Sequence, residues 1–453
     1  MSDEILQQAE FSFVSGNFAE SELLYKKLLK KDTVTEEQKA RIFCNLGIIY
    51  SIKGELKQAE AEYLKSLEIN EKLNRREGLS NIYCNLGVIY SNKGDLNKAE
   101  EMYIKSLEID ETDGKMEGVA GICTNLGNIY YIQGNLEKAE DMFNKAMTIS
   151  KHLELIDSMP IVYSNLGSIN IFWGKLGKAE EFFRNALKIS EIVNNQEAVA
   201  SVYTSLASIY HKWGNIDEAT DLCKKAIDTA IKNTIPECEA SAYTMMAEIH
   251  KTQGHYSLAE DFYNKALEID VKLERTIGIA DDFCGLASLC TIRGELKHAE
   301  EMLNDSFDIN KKMENLGGMA ENYYEYANLF KQKKEYDIAE IKYKQALEIA
   351  EKITDKERIG KTLCRLGDLY ILMDDFPEAK QNLDKSMQIN QSCCFNENIA
   401  NTYRYFGDYY LGLFDYQEAG RSYEYAMSIY EELGNMDKVA ELEALIEDCN
   451  SRS

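Results

Sequence analysis

Along most of the chain, apolar residues recur at three- and four-residue intervals, the spacing that gathers them on one face of an α-helix. Ile82, Tyr83, Leu86, Ile89 and Tyr90 form one such stripe, and Leu96, Ala99, Tyr103 and Leu107 form the next. Gly94 stands between them, and glycine tolerates the left-handed backbone that ends a helix. The pattern predicts two helices of about 15–17 residues, roughly 25 Å each, joined by a glycine turn. The small Ala99 lets the two axes approach closely.

This unit repeats. Asn45-Leu46-Gly47 returns as Asn85-Leu86-Gly87, Asn125-Leu126-Gly127 and Asn165-Leu166-Gly167, always 40 residues apart. Leu206, Leu286 and Leu366 continue the leucine column, with Met246, Tyr326 and Phe406 as apolar replacements. The alanine column runs without a gap from Ala59 to Ala419, and four residues beyond it stands a bulky side chain, as in Tyr63, Tyr103, Phe143 and Phe183. The turn glycine recurs at Gly54, Gly94, Gly134, Gly174, Gly214, Gly254 and Gly294, and gives way to Lys334, Asp374 and Phe414. Ten such units are expected over residues 41–430. A divergent unit with Gly16, Ser21 and Tyr25 in the matching columns is expected over 1–40. Residues 431–453 then hold one amphipathic helix through Val439, Leu442, Leu445 and Ile446. A stacked array exposes an apolar face at its end, so this helix reads as a cap, with partner docking as the alternative.

Aromatic–x–x–Leu–Gly–x–x–Tyr, then Gly, then Ala–x–x–x–aromatic, as in Tyr83, Leu86, Gly87, Tyr90, Gly94, Ala99 and Tyr103, resembles the tetratricopeptide repeat family. The usual repeat of that family has about 34 residues. A 40-residue form with Asn before Leu-Gly is similar to the subclass found in kinesin light chain and the Leu-Gly-Asn-repeat mitotic adaptors. The resemblance implies an all-α, right-handed superhelical solenoid, one continuous array whose first helices line a concave, ligand-binding side. It implies a binding role, although a fold does not fix an activity.

Composition narrows the function classes. The 3 prolines suit long helices, and 45% apolar content is enough for a core. A net charge of −26 opposes binding to phosphate backbones or anionic membranes, so neither nucleic acid nor membrane insertion is expected. No apolar run approaches the ~18 residues of a membrane span. The acidic Met1-Ser2-Asp3-Glu4-Ile5 start does not read as a signal peptide, and the 11 scattered cysteines suit a reducing compartment, so a cytoplasmic location is expected.

At ~100° per residue, Asn81, Cys84, Asn85, Val88, Ser91 and Asn92 fall opposite the packing stripe. Asn45, Asn85, Asn125 and Asn165 thus form a ladder on the free face, with Asn128 beside Asn125. Asn is a poor helix former, and its carboxamide can pair with both N–H and C=O of an extended chain. The resemblance implies this use; the alternative is bonding between neighbouring helices or to water. In the early repeats the free face is nearly neutral, Arg41 being its one charge. Later it carries Glu248, Asp281, Glu321, Glu325, Asp368 and Asp408 among Lys251, Lys331, Lys361, Arg365 and Arg404. A groove reading peptide backbone, followed by one reading charged side chains, is the expectation, with Arg365 and Arg404 as contacts.

Trp173 and Trp213, the chain's two tryptophans, sit at a turn position held elsewhere by Lys53, Lys93 or Gln133, and Phe172 precedes the first. They form either an exposed contact patch or packing within the turn. Apolar stretches at Ile371–Met373 and at Leu411, Leu413 and Phe414 match them. The 5 histidines make no metal spacing, and phosphate loops and nucleophile elbows are absent. No catalysis, cofactor or metal is expected. The leading reading is a non-catalytic scaffold or adaptor for a protein or peptide. The alternatives are a self-assembling scaffold, with homo-oligomers, and a regulatory subunit of a separate enzyme.

Overall fold

The computed structural model describes residues 2–452, so Met1 of the acidic start and Ser453 of the tail lie outside the described residues. Among them are 23 α-helices, one short 3-10 turn at Ile156–Ser158 and no strand. The helices come in pairs. Ser2–Val14 and Phe18–Leu28 form the first, Glu36–Ile52 and Leu56–Lys72 the second, and Asn396–Gly412 with Tyr416–Glu432 the eleventh; Met436–Arg452 follows alone. Most are 17 residues long and are separated by three-residue turns.

A residue with positive φ recurs every twentieth position from Gly54 to Gly434, once after each helix. The next N–H reaches back five residues, as from Glu55 to the Tyr50 carbonyl at 2.9 Å, which closes the helix end. Glycine fills only some of these sites. Asn74, Thr234, Lys334, Asp374 and Phe414 adopt the same left-handed conformation, so the turn survives loss of the consensus glycine. The prolines obey the same phase: Pro160, Pro236 and Pro377 all stand in a first helical turn, where the missing N–H costs nothing.

The Leu-Gly motif has a packing reason. A Cβ on Gly47, Gly87 or Gly127 would lie 2.5–2.6 Å from the ring of Tyr63, Tyr103 or Phe143. The first helix of each pair thus needs bare backbone where the second inserts its aromatic side chain. Ala59, Ala99 and Ala139, all fully buried, give the complementary close approach.

The chain divides into two compact units, residues 1–130 with 141–154, and 131–140 with 155–453. The first is built on Tyr25, Leu46, Tyr63, Leu86 and their neighbours. The second has several cores, the largest including Phe183, Leu206, Ile249, Tyr423 and Leu442. Val439 and Leu442 of the last helix are buried in it, so that helix covers the apolar end of the preceding pair.

Within the second unit, segments far apart in sequence meet along a seam. Trp173 Nε1–H donates to Thr354 Oγ1 (3.2 Å), 181 residues on. Asn396 Nδ2 donates to the Trp213 carbonyl and Asn435 Nδ2 to the Thr252 carbonyl, both at 2.7 Å and 183 residues apart. Lys212 pairs with Glu357 at 2.5 Å, and Thr252 Oγ1 donates to Glu397 at 3.0 Å. Gly134 and Gly174 are required here twice over: φ is positive, and a Cβ would lie 2.2 Å from Ile353 or Cys393.

Candidate functional site

In the first unit, the free faces of Glu36–Ile52 and Arg76–Asn92 enclose a cavity of about 340 Å³. Arg41, Cys44, Asn45, Ile48, Asn81, Cys84 and Asn85 line it. Asn45 Nδ2 donates to the Tyr25 hydroxyl at 2.8 Å, and Asn85 Nδ2 points to Cys44 Sγ at 3.9 Å. Asn125 stands in the same relation to Cys84. Each amide N–H₂ is thus directed sideways to the preceding helix pair, which was one of the two alternatives for the ladder. No described residue bonds the Asn45 or Asn85 side-chain oxygen. Burial pushes the Cys44 and Cys84 thiols up to about 11, so both stay neutral beside the amides. Asn128 and Asn165 are half-buried on the same kind of face and are also partnered.

The second unit presents a charged counterpart. Tyr263 donates to Glu248, which pairs with Lys251 at 2.8 Å. Glu321 holds Arg358 and, at 3.3 Å, Lys361; burial raises its pKa, but Lys361 and Arg358 outweigh it and keep the carboxyl far below its usual value. Asp281 lacks such a cation and stays exposed. Asp368 pairs with Lys331. Arg365, expected to contact peptide, donates to the Tyr405 hydroxyl and, at 3.2 Å, to that of Tyr324. Arg404 pairs with Glu441 at 2.8 Å. Of the charges found in sequence, Glu321 with Lys361 and Lys331 with Asp368 neutralise one another across adjacent helices, and Glu248 with Lys251 does so within one helix. Arg358, Lys438 and the tyrosines were not singled out in sequence, because their partners belong to other repeats; the helical phase of Tyr324 and Tyr405, next to or in the Asn column, was the available signal.

Phe172, Trp173 and Trp213 are half-buried, Phe172 against Tyr131 (5.4 Å), Trp213 against Tyr210 (5.5 Å). Along the seam the Trp173 indole donates to Thr354, and Asn396 donates to the Trp213 carbonyl. At the equivalent later turns Leu372, Leu413 and Phe414 remain exposed, Phe414 by 76%. His250 stacks on Phe262 at 5.5 Å, as a core substitution. Among the described residues no three His, Cys, Asp or Glu side chains are placed to share a metal, and no helix is long and apolar enough to cross a membrane.

Paired helices of similar length, stacked on an alanine column and a mostly aromatic column with a polar free face, define an all-α helical-repeat solenoid. Residues 26–188 match the MalT-like tetratricopeptide region, and residues 198–272, 318–392 and 358–432 match the tetratricopeptide repeat. The chain belongs to the tetratricopeptide repeat family. No curated protein matches it in sequence. Its fold is similar to that of a Rap protein solved in complex with competence and sporulation factor (TM-score 0.58, 15% identity, 78% of this chain and 98% of that one). The apo forms of RapI (0.53, 16%, 60% and 99%) and of the quorum sensor NprR from B. thuringiensis (0.54, 17%, 69% and 87%) share it. At these identities the likeness concerns the fold.

Proposed function

We propose that this protein is a non-catalytic scaffold or adaptor that binds an extended peptide or partner segment along the free faces of its first helices. The observation that carries the reading is the Asn45–Asn85 cavity. There each carboxamide spends its N–H₂ on the neighbouring helix pair, and its oxygen is bonded by no described residue. Such an oxygen, fixed in orientation, accepts from a peptide N–H without the entropy cost of ordering a free side chain. Stacked helices about 8–10 Å apart address every third residue of an extended chain, which advances ~3.3 Å per residue. The surrounding Cys and Asn side chains are small and uncharged, so the peptide is read there by its backbone. The Rap protein complexed with competence and sporulation factor offers a precedent for ligand binding on this fold.

The test is a selection of decapeptides from a random library on the full-length protein, followed by affinity measurement for the enriched peptides. Asn85→Ala with Asn125→Ala should weaken binding about tenfold or more, one or two hydrogen bonds at ~1 kcal/mol each, while leaving the melting curve in place. Unchanged affinity in the double variant removes the ladder from the site.

A further inference from the structure

A second cavity, of about 310 Å³, opens on the seam of the second unit. Tyr131, Ile132 and Phe172 form one wall, around the turn whose Gly134 abuts Ile353. Ile277, Asp281 and Ile353, from later repeats, form the other. The cavity shares no residue with the one at Asn45 and Asn85. Its first wall is set by the edge-to-face contact of Tyr131 with Phe172 at 5.4 Å. Its charged groups are few and unequal. Arg358, which also lines it, is committed: Nε donates to Asp355 at 3.0 Å and Nη1 to Glu321. Glu321 is shared with Lys361 at 3.3 Å. Arg275, the next cation, is held by Asp270 at 2.8 Å. Apart from that pair, the three carboxylates Asp281, Glu321 and Asp355 stand against the two cations Arg358 and Lys361. The one left over is Asp281, which is exposed and makes neither ion pair nor hydrogen bond among the described residues.

Apolar walls around one polar anchor are the usual composition of a small-molecule site, and this volume stands at the small end of such sites. The anchor is an anion, so it selects a cation. We propose that the cavity binds a small primary amine with a compact apolar body of roughly six to ten carbon atoms. Its ammonium pairs with Asp281, and its body lies between Phe172, Ile277 and Ile353. A charge-assisted N–H···O bond is about twice as strong as a neutral one, and each apolar carbon covered by the walls adds to it. An acid is disfavoured, because Asp281 repels it and Arg358 already serves Glu321 and Asp355. Since the walls come from both sides of the seam, a bound amine ties together segments that the chain order keeps far apart. The site stands apart from the peptide face proposed above and does not depend on it.

The full-length protein is titrated by calorimetry with phenethylamine, with phenethyl alcohol as its neutral isostere and with phenylpropanoate as the acid. The amine should bind saturably and at least about tenfold more tightly than the alcohol, the worth of one hydrogen bond to a charged group. The acid should be the weakest of the three. Asp281→Asn should bring the amine to the level of the alcohol, while Ile277→Phe, which fills the cavity, should weaken both alike. Location is read separately. In a Trp213→Phe background the amine should shift the emission of Trp173, which follows Phe172 and donates to Thr354 beside Ile353. Phe-Ala-Ala amide carries the same ammonium and ring on a peptide, and should bind more weakly than phenethylamine. Tighter binding of that tripeptide overturns the assignment to a small amine. Equal binding of amine and alcohol, an affinity that survives Asp281→Asn, or no binding of phenethylamine overturns the site.

Discussion

Asp282 offers a sharp test of how this structure handles charge. It occupies the column filled in earlier repeats by Ile42, Ile82, Ile122, Val162, Val202 and Ala242, and it is fully buried. Its Oδ1 accepts from Thr244 Oγ1 at 2.9 Å, while Oδ2 has no partner. Burial pushes the carboxyl from 3.8 up to about 8, with Thr244 opposing. The folded state therefore binds a proton that the unfolded chain releases above about pH 4. Stability is highest below that value, falls as pH rises through the interval, and levels off above the folded-state pKa. At about 1.4 kcal/mol per pH unit, the full swing is on the order of 5 kcal/mol, an upper bound because relaxation and water entry soften it. Asp282→Asn keeps the shape and removes the titration. Both tryptophans lie in the second unit, so urea unfolding followed by tryptophan fluorescence reports that unit. The variant should gain stability relative to the parent by several kcal/mol between pH 5 and pH 8.5. The comparison cancels the shared contributions of Asp270 and Asp281 to first order. Equal pH slopes in parent and variant would refute the reasoning.

Three further outcomes follow from the turns, the register and the seam. Phe414 is left-handed and 76% exposed, so Phe414→Gly should stabilise by ~1 kcal/mol, and Gly54→Ala should destabilise by a similar amount, both read by urea midpoint with a tyrosine or far-ultraviolet signal. In Gly127→Ala the new Cβ meets Phe143 at 2.5 Å; overpacking of about 1–3 kcal/mol exceeds the ~1 kcal/mol gained in helix propensity, and the loss should shrink when Phe143→Leu is added. Asn396→Ala removes the bond to the Trp213 carbonyl, so in a Trp173→Phe background acrylamide should quench Trp213 more strongly, with no change in far-ultraviolet circular dichroism.

The local architecture was legible in the sequence because it is made by local forces. A helix stripe, a left-handed stop and an alanine opposite an aromatic residue each involve neighbours within one repeat of 40 residues, and repetition states the same rule many times. The free face was legible for the same reason: Asn45 and Asn85 share a helical phase, and phase alone puts them in one row. Which way their amides turned was not legible, since that depends on Tyr25 and Cys44 in the preceding pair. The seam lay further out of reach. Small rotations between successive repeats accumulate before residues 181–183 apart can touch, and no pattern within a repeat encodes that sum. That closure sets Thr354 against the Trp173 indole and Asn396 against the Trp213 carbonyl. Pairing across repeats decided the rest: it gave Asp368 and Glu441 to particular cations and made Asp282 a neutral acid in a hydrocarbon column. Charge type is written in the sequence; charge state is set by what the fold brings beside it.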